Sequence, residues 1–478
     1  MGERKGEGDN LPSPRWEGMK GKGDQKVFIL STPTLALPIP RSRPIDRPGR
    51  GKGEEIIGGI GLISKLRLEA MKAIHYGWVI VGVGVLVKMT GLGFGRFAYP
   101  MLLPSMRESL SFNYSEMGLL SGAIMLGYLL FSLIGGMLAT RFGPKRIVIA
   151  SLLCGALSMF FMSRLSGFSP LLFISFAMGA GAAGSHISIT TLPMVWFEGR
   201  RLGRAVGVVT GGTGLGIIVT GLLLPYLLSQ LGKEAWRQCW VLLALITFLV
   251  AVTGWVLLRE KPSPITFLAP SLDGDKRPHL SKKESHELTL KAIFIIYFIF
   301  GFSYNIYATY FVAYMVEEVR LTAKMAGDIW AIFGWMCMLS GLIWGFLSDR
   351  LGRRKALLWN NGIISLSVLL PLLLYQPFFM GFSAFLFGGT FLGTVTVVAA
   401  SVGDRVGEKR ASVYGLVTLI HGTGQFLGTT SGGYLKDVAG TFQLPLLVSL
   451  AGFVFCVILT TLAKKGETTL TLHGSTTL

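Results

Sequence analysis

From Tyr76 onward the sequence is a succession of long, nearly uncharged apolar stretches separated by short polar turns. A run of about 18 or more apolar residues can cross the hydrocarbon core of a bilayer. The stretches are continuously apolar rather than alternating, which selects helices over a closed barrel. Only 15% of the residues are charged and 51% are hydrophobic, whereas soluble domains carry about 25% charged residues. The chain is expected to be an all-α polytopic membrane protein.

Twelve segments fall at about 76–105, 115–138, 147–164, 169–193, 205–229 and 237–258, then 292–316, 326–347, 356–375, 378–400, 412–434 and 442–463. This predicts a six-helix bundle over 71–259, a polar linker over 260–290 and a second six-helix bundle over 291–463, with a tail over 464–478. Residues 1–70 are rich in Gly, Pro, Arg and Lys without sustained periodicity and read as a disordered extension. Met71 opens M-K-A-I-H-Y-G-W-V-I, a natural beginning for a first membrane helix, and reads as the true start.

The formal charge of +19 would suggest nucleic acid in a soluble protein. Here the cations cluster in the loops after even-numbered segments, among them Arg141, Lys145, Arg146, Arg200, Arg201, Arg204, Arg350, Arg353, Arg354, Lys355, Lys409 and Arg410. That bias places those loops and both termini in the cytoplasm, in an inner membrane, with lipid rather than nucleic acid as the partner. The four cysteines lie inside apolar segments and form no CxxC pair. No metal site, cofactor motif or nucleophile constellation appears, so no enzyme is expected. The glycines of segment 5 lack the lysine of a phosphate loop.

The halves repeat. G-G-M-L-A-T-R-F-G-P-K-R (135–146) answers W-G-F-L-S-D-R-L-G-R-R-K (344–355), and residues 199–216 answer 407–424, at offsets of 209 and 208. Duplicated halves of this kind place a substrate path between them, near the membrane midplane. Over about residues 71–463 the sequence resembles the major facilitator superfamily, whose signature loop G-F-L-S-D-R-L-G-R-R-K matches. Y-G-W-V-I-V and A-W-R-Q-C-W are similar to openings in its monocarboxylate and oxalate/formate porters. The resemblance implies two pseudo-symmetric six-helix bundles working by alternating access. It implies a conformational latch from Gly345, Asp349, Arg350, Gly352 and Arg353. Gly345 and Gly352 are expected to permit a close approach and a tight turn. The first-half counterparts are Gly136, Thr140, Arg141 and Gly143, where Thr140 replaces the family's Asp.

Embedded ionisable residues are costly and usually functional. Four stand out: Lys88 and Arg96 in segment 1, His186 in segment 4 and His421 in segment 11. Arg96 can bind a carboxylate through two parallel hydrogen bonds, or snorkel to the interface. Tyr304, Asn305 and Tyr307 of segment 7 are further candidates for lining a substrate, with Tyr310 and Tyr314 on the same helix. The carboxylates fall near segment ends. Embedded cations without an embedded anion point to a small anionic substrate, a mono- or dicarboxylate, with a proton as possible co-substrate and a monomeric carrier. The alternatives are a drug or metabolite exporter using Asp328 as proton carrier, and a non-transporting membrane sensor.

Overall fold

In a computed structural model the described residues are 76–232, 234–260, 288–406 and 410–462. The expected extension over 1–70, the linker between 261 and 287, Lys409 and the tail over 464–478 lie outside them.

Twelve long helices account for nearly all of the described chain. The first bundle comprises α1 (Gly77–Leu110), α2 (Tyr114–Phe142), α3 (Pro144–Met162), α4 (Phe168–Trp196), α5 (Gly199–Leu231) and α6 (Ala235–Leu257). The second comprises α7 (Leu290–Glu317), α8 (Ala323–Leu351), α9 (Arg353–Leu373), α10 (Pro377–Val406), α11 (Arg410–Ala439) and α12 (Gln443–Leu462). Eleven of these are long and apolar enough to cross a membrane, all except α11. That helix carries His421, Gln425 and Thr429 along its middle, and all three are buried.

Local chemistry sets the helix ends. Asn113 accepts from the Glu116 N–H and Glu116 returns the bond to the Asn113 N–H, a reciprocal cap that starts α2. Thr289 and Thr322 cap α7 and α8 in the simpler way. Gly143 and Gly352 turn the chain between α2 and α3 and between α8 and α9 with φ of 89° and 86°, a region that strains any residue with a Cβ. Gly345 differs from the expectation of a close approach. A Cβ there would make ordinary contact with Thr396, and at Gly136 it would meet nothing.

α1 runs further than its apolar stretch suggests, reaching Leu110 through Pro100 and Pro104. Pro100 sits in the first turn after a bend at Ala98, where a missing N–H costs little. Between Met89 and Phe94 the helix opens into a π turn. There Gly93 packs against Gly216 of α5 so closely that a Cβ would lie 2.7 Å from the Gly216 Cα.

The halves meet along two seams, α2 against α11 and α5 against α8, with α1 against α7 between them. Glycines make both seams tight. Gly118 faces the Thr429 carbonyl and Gly433, and Gly221 faces Gly327. The α2–α11 contacts run from Tyr114 and Asp437, at the end remote from the basic loops, to Leu129 and Gly422 near mid-helix.

Candidate functional site

Arg96 lies near the middle of α1 and is 8% exposed, so it does not snorkel. Its Nη2 donates to the hydroxyl of Tyr304, to Asn305 Oδ1 at 3.3 Å and to Gln425 Oε1 at 3.0 Å. The guanidinium also lies over the rings of Phe97, Tyr128 and Tyr304 at 5.5–5.8 Å. Each such contact is worth about 0.5–2 kcal/mol, the upper end applying where water is excluded. The hydrogen-bonding partners come from α7 and α11, so this one side chain ties the two halves together at mid-depth.

Arg96 and Asn305 are repeat equivalents, 209 positions apart. Equivalents that touch each other must lie at the pseudo-two-fold axis. The acceptors around Arg96 are all neutral. Every Asp and Glu among the described residues lies at or beyond a helix end. A buried cation without a counter-ion is costly, and neutral dipoles offset only part of that cost.

Lys88 is 1% exposed and its Nζ lies 2.9 Å from His186 Nδ1. The rings of Tyr128 and His186 meet edge to face with centroids 6.2 Å apart, and the Arg96 guanidinium lies over the same Tyr128 ring, so Tyr128 borders both the Lys88–His186 pair and Arg96. His421 is packed rather than presented. It stacks on Tyr297 at 4.0 Å, its Nδ1 lies 3.0 Å from the Tyr297 carbonyl, and Tyr304 separates it from Arg96.

The remaining tyrosines of α7 fix the helix against its neighbours. Tyr307 bonds Ser383 Oγ at 2.6 Å, Tyr310 donates to the Thr429 carbonyl, and Tyr314 donates to the Pro371 carbonyl. Gln425 and Tyr128 are the members of the site that the sequence did not disclose. Gln425 stands in G-T-G-Q-F, and a lone glutamine in an otherwise spanning helix was the available signal.

In the signature loop, Arg353 donates to Asp349 at 2.6 Å and to Asp404 of α10 at 2.8 Å. Arg350 lies over the ring of Phe346. Arg354 donates to the Thr460 and Thr461 carbonyls and so caps the end of α12. These contacts join elements of the second bundle to one another. The first-half copy is plainer: Thr140 bonds the Met137 carbonyl of its own helix, and Arg141 covers Phe142.

Carboxylate contacts between the halves occur at the opposite end. Asp437 of α11 accepts from the Tyr114 N–H at 2.9 Å and from the Ser115 N–H at 2.6 Å, at the start of α2. Glu317 of α7 accepts from the Tyr114 hydroxyl and pairs with Arg107 of α1 at 3.5 Å. Asp328, the proton carrier of the exporter alternative, is an exposed partner of Lys324 near the start of α8, far from Arg96. Glu234, just before α6, is held below the usual carboxylate range by Ser109 and Arg237.

A family profile described as "uncharacterised MFS-type transporter YbfB" matches residues 88–461. The hexuronate transporter of Bacillus subtilis is 26% identical over 74% of this chain and 87% of its own length. A probable sulfoacetate transporter of Cupriavidus necator is 24% identical over 72% and 84%. A probable nitrate/nitrite antiporter of Thermus thermophilus is 24% identical over 80% and 86%. Among solved structures, an inward-facing bacterial homologue of the human lysosomal transporter Spinster superposes with a TM-score of 0.65 at 15% identity, covering 81% of this chain and 97% of that one. The nucleoside transporter NupG gives a TM-score of 0.62 at 14% identity, with 81% and 98% covered.

Proposed function

We propose that this chain, which belongs to the major facilitator superfamily through the MFS-type transporter family matched over residues 88–461, carries small organic anions by alternating access. It is a multi-pass membrane transporter and not an enzyme. The observation that carries the substrate reading is Arg96: a buried cation on the pseudo-two-fold axis, held by neutral acceptors from the other half, with no carboxylate at its depth among the described residues. A bound carboxylate supplies the missing charge and engages the guanidinium fork. Tyr304, Asn305 and Gln425 orient the fork, and exchanging their hydrogen bonds for those of the anion couples binding to the relation between the halves. The relatives named for hexuronate, sulfoacetate and tartrate support an acid as cargo. Among these, mono- and dicarboxylates suit the single guanidinium best.

In this reading the basic loops face the cytoplasm of an inner membrane. The seam at Tyr114, Glu317 and Asp437 then closes the outer face, and the protein rests inward-facing as a monomer. The signature loop around Asp349, Arg353 and Asp404 stiffens the second bundle here and engages the first when the inner face closes. The deciding experiment is uptake of glucuronate, tartrate, sulfoacetate and muconate into proteoliposomes, with Arg96→Gln and Arg96→Lys beside wild type. At least one acid is transported by wild type. Arg96→Gln abolishes its transport, and Arg96→Lys weakens it at least tenfold because a point charge replaces the fork. Equal transport by wild type and Arg96→Gln refutes the assignment.

A further inference from the structure

We propose that the Lys88–His186 pair is the proton-binding site that couples this carrier to protons, one proton accompanying each anion held at Arg96. The inference rests on the anion reading of Arg96 and goes beyond it, because neither Lys88 nor His186 touches the acceptors of Arg96.

The geometry restricts the charge states of the pair. An ammonium has no lone pair and can only donate. Lys88 Nζ lies 2.9 Å from His186 Nδ1 and 3.2 Å from its Nε2, so protonating both groups would set two cations in contact with no acceptor between them, and that state is strongly disfavoured. What remains is an uncharged pair or a pair sharing one proton. Lys88 is 1% exposed, so its charge has no help from water. The packing neighbours offer none either. On α1 itself the nearest charged group is Arg96, of the same sign. On α4 the sole ionisable residue between Phe168 and Trp196 is His186. On α5, Arg204 and Tyr226 lie toward the two ends, and Gly212 is the residue against Lys88. On α6, Arg237 and Cys239 lie in the first turns and Arg259 follows the helix. From α3, packed on α4, Cys154 donates to the Ala177 carbonyl, while Lys145 and Arg146 lie in the first turn. From α2, Glu116 and Arg141 lie at the two ends, and Tyr128 presents its ring to His186. No carboxylate among the described residues reaches the pair.

A negative charge beside Arg96 changes this balance. Lys88 and Arg96 are eight residues apart on α1, about 12 Å along the axis. At an effective dielectric near 20, a unit charge at that separation alters occupancy by a proton about tenfold. An anion seated on the His186 side of Arg96, beside Tyr128, acts from nearer and more strongly. The anion and the proton thus favour each other's presence by the same factor, as linkage requires. The proton enters from solvent as the anion docks and leaves from the pair after the anion has left, so no other reactant is needed.

The test uses the purified full chain in proteoliposomes and, in detergent, a weakly buffered solution with a pH-indicator dye. The probe is glucuronate, with tartrate as the second acid. Wild type is expected to show counterflow, accumulation driven by an imposed pH gradient, and uptake of about one proton per anion bound. Lys88→Met and His186→Gln keep counterflow within about threefold, lose gradient-driven accumulation at least tenfold, and take up no proton on binding. Retained accumulation and proton uptake in both variants overturn the proposal, as does wild-type counterflow that ignores the gradient. Loss of anion binding in both variants, with an unchanged gel-filtration profile, overturns it by making the pair part of the anion site. Absence of binding and counterflow with every acid, in wild type and Arg96→Gln alike, overturns the anion reading itself and the coupling with it.

Discussion

Asp437→Asn tests how the end remote from the basic loops is held shut. The carboxylate accepts two backbone N–H groups at the start of α2, from Tyr114 at 2.9 Å and Ser115 at 2.6 Å, and the Ser115 hydroxyl as well. It also places a negative charge at the positive end of the α2 dipole. Hydrogen bonds to a charged group contribute about 1.5–3 kcal/mol each when buried. Asp437 is exposed, however, and the amide oxygen of asparagine keeps one acceptor. Discounting for both leaves roughly 1–2 kcal/mol, a five- to thirtyfold shift away from the closed seam. The assay is double electron–electron resonance between spin labels at Ser169 and Gln376, which lie at this end in opposite halves, with the four cysteines replaced. Asp437→Asn increases the population at long distance. Glu234→Gln does not, since Glu234 bonds Ser109 and Arg237 within the first half. An unchanged distance distribution in Asp437→Asn, or an equal change in both variants, refutes the assignment of the seam.

Three further outcomes follow from the geometry. Gly93→Val drives a side chain into Gly216 and lowers stability by roughly 1–3 kcal/mol, read as a fall in the thermal midpoint in detergent; an unaltered midpoint shows that the α1–α5 crossing can relax. Gly352→Ala strains a residue at φ 86° by about 1–2 kcal/mol, whereas Gly136→Ala, with open space around it, stays near neutral in the same measurement. Asp349→Asn removes the charge that Arg353 binds and slows transport about threefold or more, while Thr140→Ala loses only a bond within its own helix and stays within about twofold; equal effects would show that the two signature loops share one role.

The helices were readable because each is a local, repeated statement of apolarity, and the turns at Gly143 and Gly352 because glycine marks the backbone it permits. Arg96 and Lys88 stood out for the same reason, as charges where charge is costly. What surrounds them was not readable. Gln425 reaches Arg96 across 329 positions, and the Tyr114–Asp437 contact spans 323. Such pairs come together only through the packing of the halves. The π turn at Met89–Phe94 also defeats a helical wheel. A constant 100° per residue puts Lys88 about 80° from Arg96. A turn closed by i→i+5 bonds winds less per residue, which draws the two cations toward one face. Gly91 and Gly93 lie inside this turn and pack on Ser185 and Gly216, so the glycines serve the neighbouring helices as much as the turn.

The repeat explains why the site is asymmetric where the fold is symmetric. Position 88 has its equivalent at 297, at offset 209, and position 213 at 421, at offset 208, so Lys88 and Thr213 in the first half answer the stacked Tyr297 and His421 in the second. The second half fills its copy of this space with two stacked rings. The first half has a lysine and a small threonine at the matching positions. At the axis the substitution is Arg96 for Asn305: one half supplies the charge and the other a neutral acceptor. Two arginines at a pseudo-two-fold contact would repel each other in a medium that screens poorly, and two asparagines would hold no anion. Under the anion reading proposed for Arg96, a single cation facing a neutral equivalent attracts an acid to the axis and still lets the halves separate after it has left.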